Sequence, residues 1–260
     1  MVLSPEFQVL IRDATHSQSY GQGAQPVVGP ISMNIRKGEF LVFLGPASCG
    51  KTMLIKMLAG LAPVTAGEIR MSGETTSGTP RAVGLVTHNP ALLPWRTTMG
   101  NILLQAEIQG LDLSESCQSA RRLLAWFGLS RLEERRAHEI PKETVPAIAL
   151  CRALVESPSL LLLDEPFRQL DLLAMERILD VFQRLWAQNR TTAVLCTTNI
   201  QEAVLLADRV AILSARPGRL LDCLAVDLPR PRRLDKSMAP QIAEYCNRIR
   251  MLFRAQGILP

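Results

Sequence analysis

Residues 40–61 read Phe40-Leu41-Val42-Phe43-Leu44-Gly45-Pro46-Ala47-Ser48-Cys49-Gly50-Lys51-Thr52-Met53-Leu54-Ile55-Lys56-Met57-Leu58-Ala59-Gly60-Leu61. Phe40 to Leu44 is a continuous apolar run of strand length, and Leu54, Met57, Leu58 and Leu61 recur at helical spacing. Between them, Gly45 to Thr52 satisfies G-x-x-x-x-G-K-[ST] in the strand-to-helix context that the pattern requires. In such a loop residues Gly45, Pro46, Ala47, Ser48, Cys49 and Gly50 form the cradle, and the backbone N–H groups of all but Pro46 surround the phosphates at a helix N-terminus. Lys51 would reach the β and γ phosphates, and the Thr52 hydroxyl would bind magnesium. Strand, loop and helix together open an α/β fold.

Working outward, Ile31, Met33 and Ile35 alternate before Lys37-Gly38, so residues 27–45 read as two strands joined by a tight turn. Ser159 to Leu163 and Thr192 to Thr197 are apolar on both faces, as strands of a parallel sheet covered by helices must be. Helical spacing follows the second of these from Glu202 to Ala207. Val210 to Leu213 and Arg219 to Val226, separated by Ala215-Arg216-Pro217-Gly218, read as closing antiparallel strands. Residues 89–155 are mostly helical by pattern, over Asn101–Gly110, Ser114–Phe127 and Val145–Glu156, which predicts a helical subdomain inserted into the sheet domain. The tail from Pro229 is rich in Pro and Arg, then helical from about Ala239 to Phe253. Asp164 and Glu165 end the strand at Leu163, at the edge where open α/β sheets bind ligands. Asp164 would hold magnesium through water and Glu165 would orient or deprotonate an attacking water; the alternative is a solvated turn after a core strand.

The 260 residues are 47% hydrophobic and 20% charged, enough apolar material for a large core and inconsistent with a disordered chain. A net charge of +5 permits an anionic partner without requiring one, and the few aromatics make no base-stacking platform. The six cysteines show no C-x-x-C pair, so neither a zinc site nor a disulfide framework is expected. The N-terminal Met-Val-Leu-Ser-Pro-Glu lacks the features of a signal peptide, and no apolar run approaches the roughly 18 residues of a membrane span. The chain is expected in the cytoplasm, touching a membrane only through a partner.

With Gly45 to Thr52, Ala91-Leu92-Leu93-Pro94-Trp95-Arg96-Thr97, Cys151-Arg152-Ala153-Leu154, Leu160 to Phe167, Glu202-Ala203 and Ala207-Asp208-Arg209, the chain resembles the ATP-binding subunits of ABC transporters over about residues 8–230. More narrowly it resembles the branch serving nitrate, sulfonate, taurine or bicarbonate importers. The resemblance implies a P-loop NTPase with a mixed sheet core, an antiparallel β subdomain and the inserted helical subdomain at about 89–155. Residues 1–230 would form this domain, and 231–260 a basic, helical extension. ATP and Mg2+ are the implied ligands. Tyr20 stands where the family stacks an aromatic on adenine, or is a turn tyrosine beside Gly21; Asp171 matches the aspartate of the dimer-contacting loop, beside an unusual Arg168.

Departures from the family pattern carry equal weight. Ile140-Pro141-Lys142-Glu143-Thr144 occupies the place of the Ser-Gly-Gly signature that donates backbone N–H groups to the opposite subunit's γ-phosphate. Pro141 has no N–H, and Glu143 would bring a carboxylate towards phosphate oxygens. Pro146 belongs in a first helical turn, so the following helix is expected to begin near Thr144, with Thr144 a candidate cap. His88 stands at the family's glutamine, next to Asn89, and is either a water-binding group or a plain surface histidine. Thr198 stands at the switch histidine. Ser48 replaces the second glycine of the loop, which is tolerable provided its backbone does not need positive φ.

With these departures the resemblance implies an ABC ATPase subunit in a heterodimer, whose partner's Ser-Gly-Gly faces Lys51 and Glu165. It also implies contact with a transmembrane permease through the region from His88 to Thr97 at the inner face of the membrane and only indirect contact with an external substrate-binding protein; no nucleic-acid partner is expected. Trp95 either serves that contact or packs within the subdomain. A catalytically silent regulatory or structural subunit is the alternative; a DNA-maintenance ATPase would need a long coiled-coil insertion for which about 65 residues of short helices leave no room.

Overall fold

A computed structural model describes residues 6–19, 23–71, 74–75 and 83–259, in two compact units. The first comprises residues 1–81, 162–164 and 192–260, and the second 82–161 and 165–191.

In the first unit, β1 (Phe7–Ser19) pairs antiparallel with β2 (Ala24–Arg36) and with β4 (Ala66–Met71), which pairs antiparallel with the two-residue β5 (Glu74–Thr75). β1 with its bulges was not anticipated from the pattern of residues. The turn at Lys37-Gly38 does lead from β2 into β3 (Phe40–Leu44), but the two strands do not form a hairpin, because β3 pairs in a second sheet. There β3 runs parallel to β8 (Thr192–Thr197) on one side and to β9 (Arg209–Leu213) on the other. β10 (Leu220–Ala225) closes that edge antiparallel to β9, so the sheet is mixed. Every residue of β3 and β8 is buried, which explains their unbroken apolar character.

Helices α1 (Lys51–Leu58), α7 (Ile200–Leu206) and α8 (Ala239–Ala255) complete this unit. α8 packs on α7 and buries Ile242, Cys246, Ile249 and Phe253, one face at helical spacing. The segment leading into α8 is pinned by Arg232, which is 2% exposed. Its guanidinium donates to the carbonyls of Val204 and Ala207 at the end of α7, and to those of Val226 and Leu228. It therefore supplies donors to helix-terminal carbonyls that have no partner within the helix.

The second unit holds β6 (Val83–Val86), α2 (Thr98–Ile102), α3 (Leu104–Gln109), α4 (Leu113–Trp126), α5 (Val145–Leu154) and α6 (Leu172–Asn189). Strand β7 (Leu160–Asp164) begins in this unit and ends in the first. Met99, Ile102, Leu103, Leu123, Leu124, Ile148 and Leu185 share one apolar cluster, joining α2, α4, α5 and α6. α6 was not read from the sequence, although Met175, Ile178, Leu179, Phe182, Leu185 and Trp186 are its buried stripe.

Candidate functional site

The loop from Gly45 to Thr52 joins the end of β3 to α1. Gly45 has no space for a side chain: a Cβ there would lie 2.9 Å from Cys49 Sγ and 3.0 Å from Leu213 Cβ. Gly50 caps α1 with φ at 102°, and a Cβ would come within 2.7 Å of the Val27 carbonyl. Ser48 also adopts positive φ, 65°. The condition under which serine was expected to be harmless at this point is therefore not met, and the loop carries a strained non-glycine residue.

Lys51 is 4% exposed. Its Nζ donates to the carbonyl oxygens of Gly45 (3.0 Å) and Pro46 (2.9 Å), so the ammonium arches over its own loop. Its carbonyl accepts from Cys196 Sγ of β8 at 3.5 Å. Thr52 Oγ1 donates to Asp164 Oδ1 at 3.1 Å. A hydroxyl and a buried carboxylate converge from α1 and the end of β7, and this pair of hard oxygen donors fits magnesium and not a soft metal. Among Lys51, Thr52 and Asp164 the expected phosphate and metal ligands are thus brought together in one unit.

Beyond β8, Thr197 is buried and its hydroxyl donates to Glu202 Oε2 while accepting from the Asn199 N–H. Asn199 caps α7 through the N–H groups of Gln201 and Glu202. Thr198, between them, is exposed.

Glu165, the next residue after Asp164, belongs to the second unit and has φ at 47°, unusual for a residue with a Cβ. Its carboxylate oxygen Oε2 accepts from Arg168 Nη1 at 3.2 Å. Phe167 is buried and its ring lies 6.4 Å from that of Phe182, while Asp171 Oδ1 accepts from Ala174 N at 2.9 Å and caps α6. Arg168 is unusual at this place in the sequence, and its bond to Glu165 emerges only from the turn.

Pro141 precedes a single 3-10 turn, Lys142–Thr144, and α5 begins at Val145 with Pro146 in its first turn. Thr144 does stand at the cap position but does not cap: its hydroxyl donates to Pro141 O at 2.7 Å. Pro141, Lys142 and Glu143 are exposed, as are His88 and Asn89. The loop from Ala91 to Thr97 is held firmly, because buried Asn101 accepts from Leu93 N at 2.6 Å and donates to the carbonyls of Leu93, Arg96 and Thr97. Arg152 Nη1 adds a bond to Ala91 O at 2.9 Å. Trp95 on this rigid loop is 70% exposed, which overturns the reading that it merely packs within the subdomain. Asn101 was missed, because an asparagine at the start of a helical pattern resembles any polar surface position. Tyr20 lies outside the described residues.

A model of the ABC transporter family matches residues 28–168. Over 208 residues the chain is 34% identical to the taurine import ATP-binding protein TauB of Escherichia coli O157:H7, a match that covers 80% of this chain and 82% of the relative. It is 32% identical over 202 residues to an uncharacterized ABC transporter ATP-binding protein of Methanocaldococcus jannaschii, covering 78% of this chain and 76% of that one. Among solved structures, a bacterial ABC transporter cassette determined as a dimer superposes with a TM-score of 0.75 at 21% identity, over 85% of this chain and 100% of the cassette. At that identity the likeness is one of fold.

Proposed function

The chain belongs to the ABC transporter family of ATP-binding proteins, and from that premise we propose that it is the ATP-binding subunit of an importer for a small anion such as nitrate, sulfonate, taurine or bicarbonate. The convergence of Thr52 and Asp164 beside Lys51 is the observation that carries the nucleotide-binding part of this reading. The likeness to a taurine import protein supports the class of cargo.

In this reading residues 1–230 are the nucleotide-binding domain, with a helical subdomain at about 89–155, and 231–260 are an extension. Lys51 exchanges the carbonyls of Gly45 and Pro46 for β and γ phosphate oxygens, and the N–H groups of Ala47, Ser48, Cys49 and Gly50 complete the cradle. Thr52 and Asp164 would hold magnesium, which when bound would neutralise phosphate charge. Glu165 is the proton acceptor for an attacking water. Tyr20 flanks the adenine, and His88 or its neighbour Asn89 offers a hydrogen bond to a water in the site. The exposed Trp95 on its pinned loop contacts a cytoplasmic segment of a transmembrane permease, so that closure of two ATPase subunits reorients the pathway. The chain therefore works at the inner face of the membrane, and the cargo meets the permease and an external binding protein instead of this subunit.

The solved cassette of like fold is a dimer, which supports a partner subunit; in this reading that partner is a second, different ATPase subunit. Pro141 has no N–H to donate and Glu143 stands exposed beside it, so two copies of this chain would face each other without a signature. A silent regulatory subunit is the second reading, favoured by that same segment and by Thr198.

The test is affinity purification of the full chain from its own membranes, followed by uptake of labelled taurine, sulfonate, nitrate and bicarbonate in cells lacking it. A permease and a second ATPase chain in the complex, with loss of one uptake, is the expected result. An active complex containing only copies of this ATPase chain would refute the heterodimer, and four unchanged uptakes would refute the cargo class.

A further inference from the structure

The segment Glu165-Pro166-Phe167-Arg168 closes on itself. Arg168 N–H donates to Glu165 O at 3.2 Å, which sets the two side chains on one side of the turn, and Arg168 Nη1 reaches Glu165 Oε2, also at 3.2 Å. Pro166 and Phe167 are buried, so the turn is anchored from below, and Glu165 holds a positive φ of 47°. The Glu165 side chain is only 12% exposed, whereas that of Arg168 is 65% exposed. A nearly covered carboxylate thus has one oxygen engaged by a guanidinium that is itself mostly in water.

We propose that Arg168 is a positioning residue that acts as a brake on Glu165, holding Oε2 in an ion pair that must open before that oxygen can accept a proton from water. The proposal rests on the reading of Glu165 as the proton acceptor. An exposed arginine gives up such a pair at small cost, so the brake is mild and readily released by anything that draws the guanidinium away, such as an anionic group arriving at the turn. Phe167 and the Asp171 cap keep the turn in place while the arginine swings, so that release need not disturb the backbone beneath Glu165.

The experiment compares magnesium-ATPase kinetics of the full complex carrying the parental chain, Arg168→Ala, Arg168→Lys, Glu165→Gln and the double variant Arg168→Ala/Glu165→Gln, with thermal unfolding of each. Arg168→Ala should raise kcat about two- to fivefold with KM for ATP unchanged, as expected for release of one exposed ion pair. Arg168→Lys, which can still reach the carboxylate, should stay near the parental rate. Added salt should narrow the gap between parent and Arg168→Ala, since it screens the pair. The double variant should match Glu165→Gln. If Glu165→Gln removes turnover while Arg168→Ala lowers kcat or leaves it unchanged, the brake is refuted and the role of Glu165 stands. If Glu165→Gln leaves turnover intact, both fall.

Discussion

Thr52 Oγ1 donates to Asp164 Oδ1 at 3.1 Å, tying the first turn of α1 to the last residue of β7. Neither residue is near the other in the chain, and the bond arises because the phosphate-loop helix begins, and a buried strand ends, at the same edge of the first unit. Thr52 and Asp164 are the residues that would hold a magnesium ion there, Asp164 through water. Asp164→Asn, which keeps the shape and removes the charge, should therefore weaken magnesium affinity by about 10- to 100-fold, read as a rightward shift of the magnesium dependence of ATPase activity. An unshifted titration would exclude this pair as the metal site.

Ser48 offers a test of backbone strain. A non-glycine residue in the left-handed region costs about 1–2 kcal/mol, and the extra freedom of glycine in the unfolded chain costs back about 0.5–1 kcal/mol. Ser48→Gly should therefore stabilise the protein by about 0.5–1 kcal/mol, raising Tm by a few degrees. Gly50→Ala should act in the opposite sense, because its Cβ would meet the Val27 carbonyl at 2.7 Å. Differential scanning calorimetry of the two variants checks both signs.

How far the fold could be read from residues alone depended on the local physics. β3, β7 and β8 are apolar on both faces because they are buried on both, so Phe40–Leu44, Leu160–Leu163 and Thr192–Cys196 announce themselves. β1 does not: its register against β2 shifts between Ile11 and Ala14 and again between Ala14 and His16, which breaks the alternation that would reveal a strand. The buried stripe of α6 is regular, but Asp171 at its start matches the aspartate of a dimer-contacting loop, which masks its role as the cap of a helix. Lys51, Thr52 and Asp164 were legible because their spacing carries chemistry. The left-handed backbone of Ser48, the pairing of Arg168 with Glu165 and the anchoring by Asn101 depend on how the chain turns, which residue type does not encode.

Arg232 should be the costliest single cation to remove from the first unit. Truncation to alanine leaves the carbonyls of Val204, Ala207, Val226 and Leu228 without their shared donor, a loss of about 3 kcal/mol. Lysine should rescue little, since one ammonium cannot span four carbonyls set around a planar fork. Burial, with the charge of Arg230, pushes the Arg232 pKa down to about 10. With the folded value depressed below the unfolded one, the folded state releases this proton first, so any effect of rising pH is stabilising and confined to pH above about 10. Between roughly pH 6 and 9 the stability gap between parent and Arg232→Ala should be flat, as urea unfolding would show.

Trp95 and Asn101 separate coupling from folding. Trp95→Ala removes an exposed ring and should change stability by no more than about 0.5 kcal/mol, while reducing recovery of the permease with the chain. Asn101→Ala frees the loop at Leu93, Arg96 and Thr97 and should cost about 2 kcal/mol. Equal permease recovery with Trp95→Ala would remove the tryptophan from the contact.

The most direct measurement is the magnesium-ATPase rate of the complex that copurifies with the full chain from its own membranes, set against the same complex carrying Glu165→Gln. Loss of most turnover is expected, and would mean that ATP is hydrolysed at the site built on this chain in spite of His88 and Thr198. An unchanged rate would contradict that role and make the subunit catalytically silent.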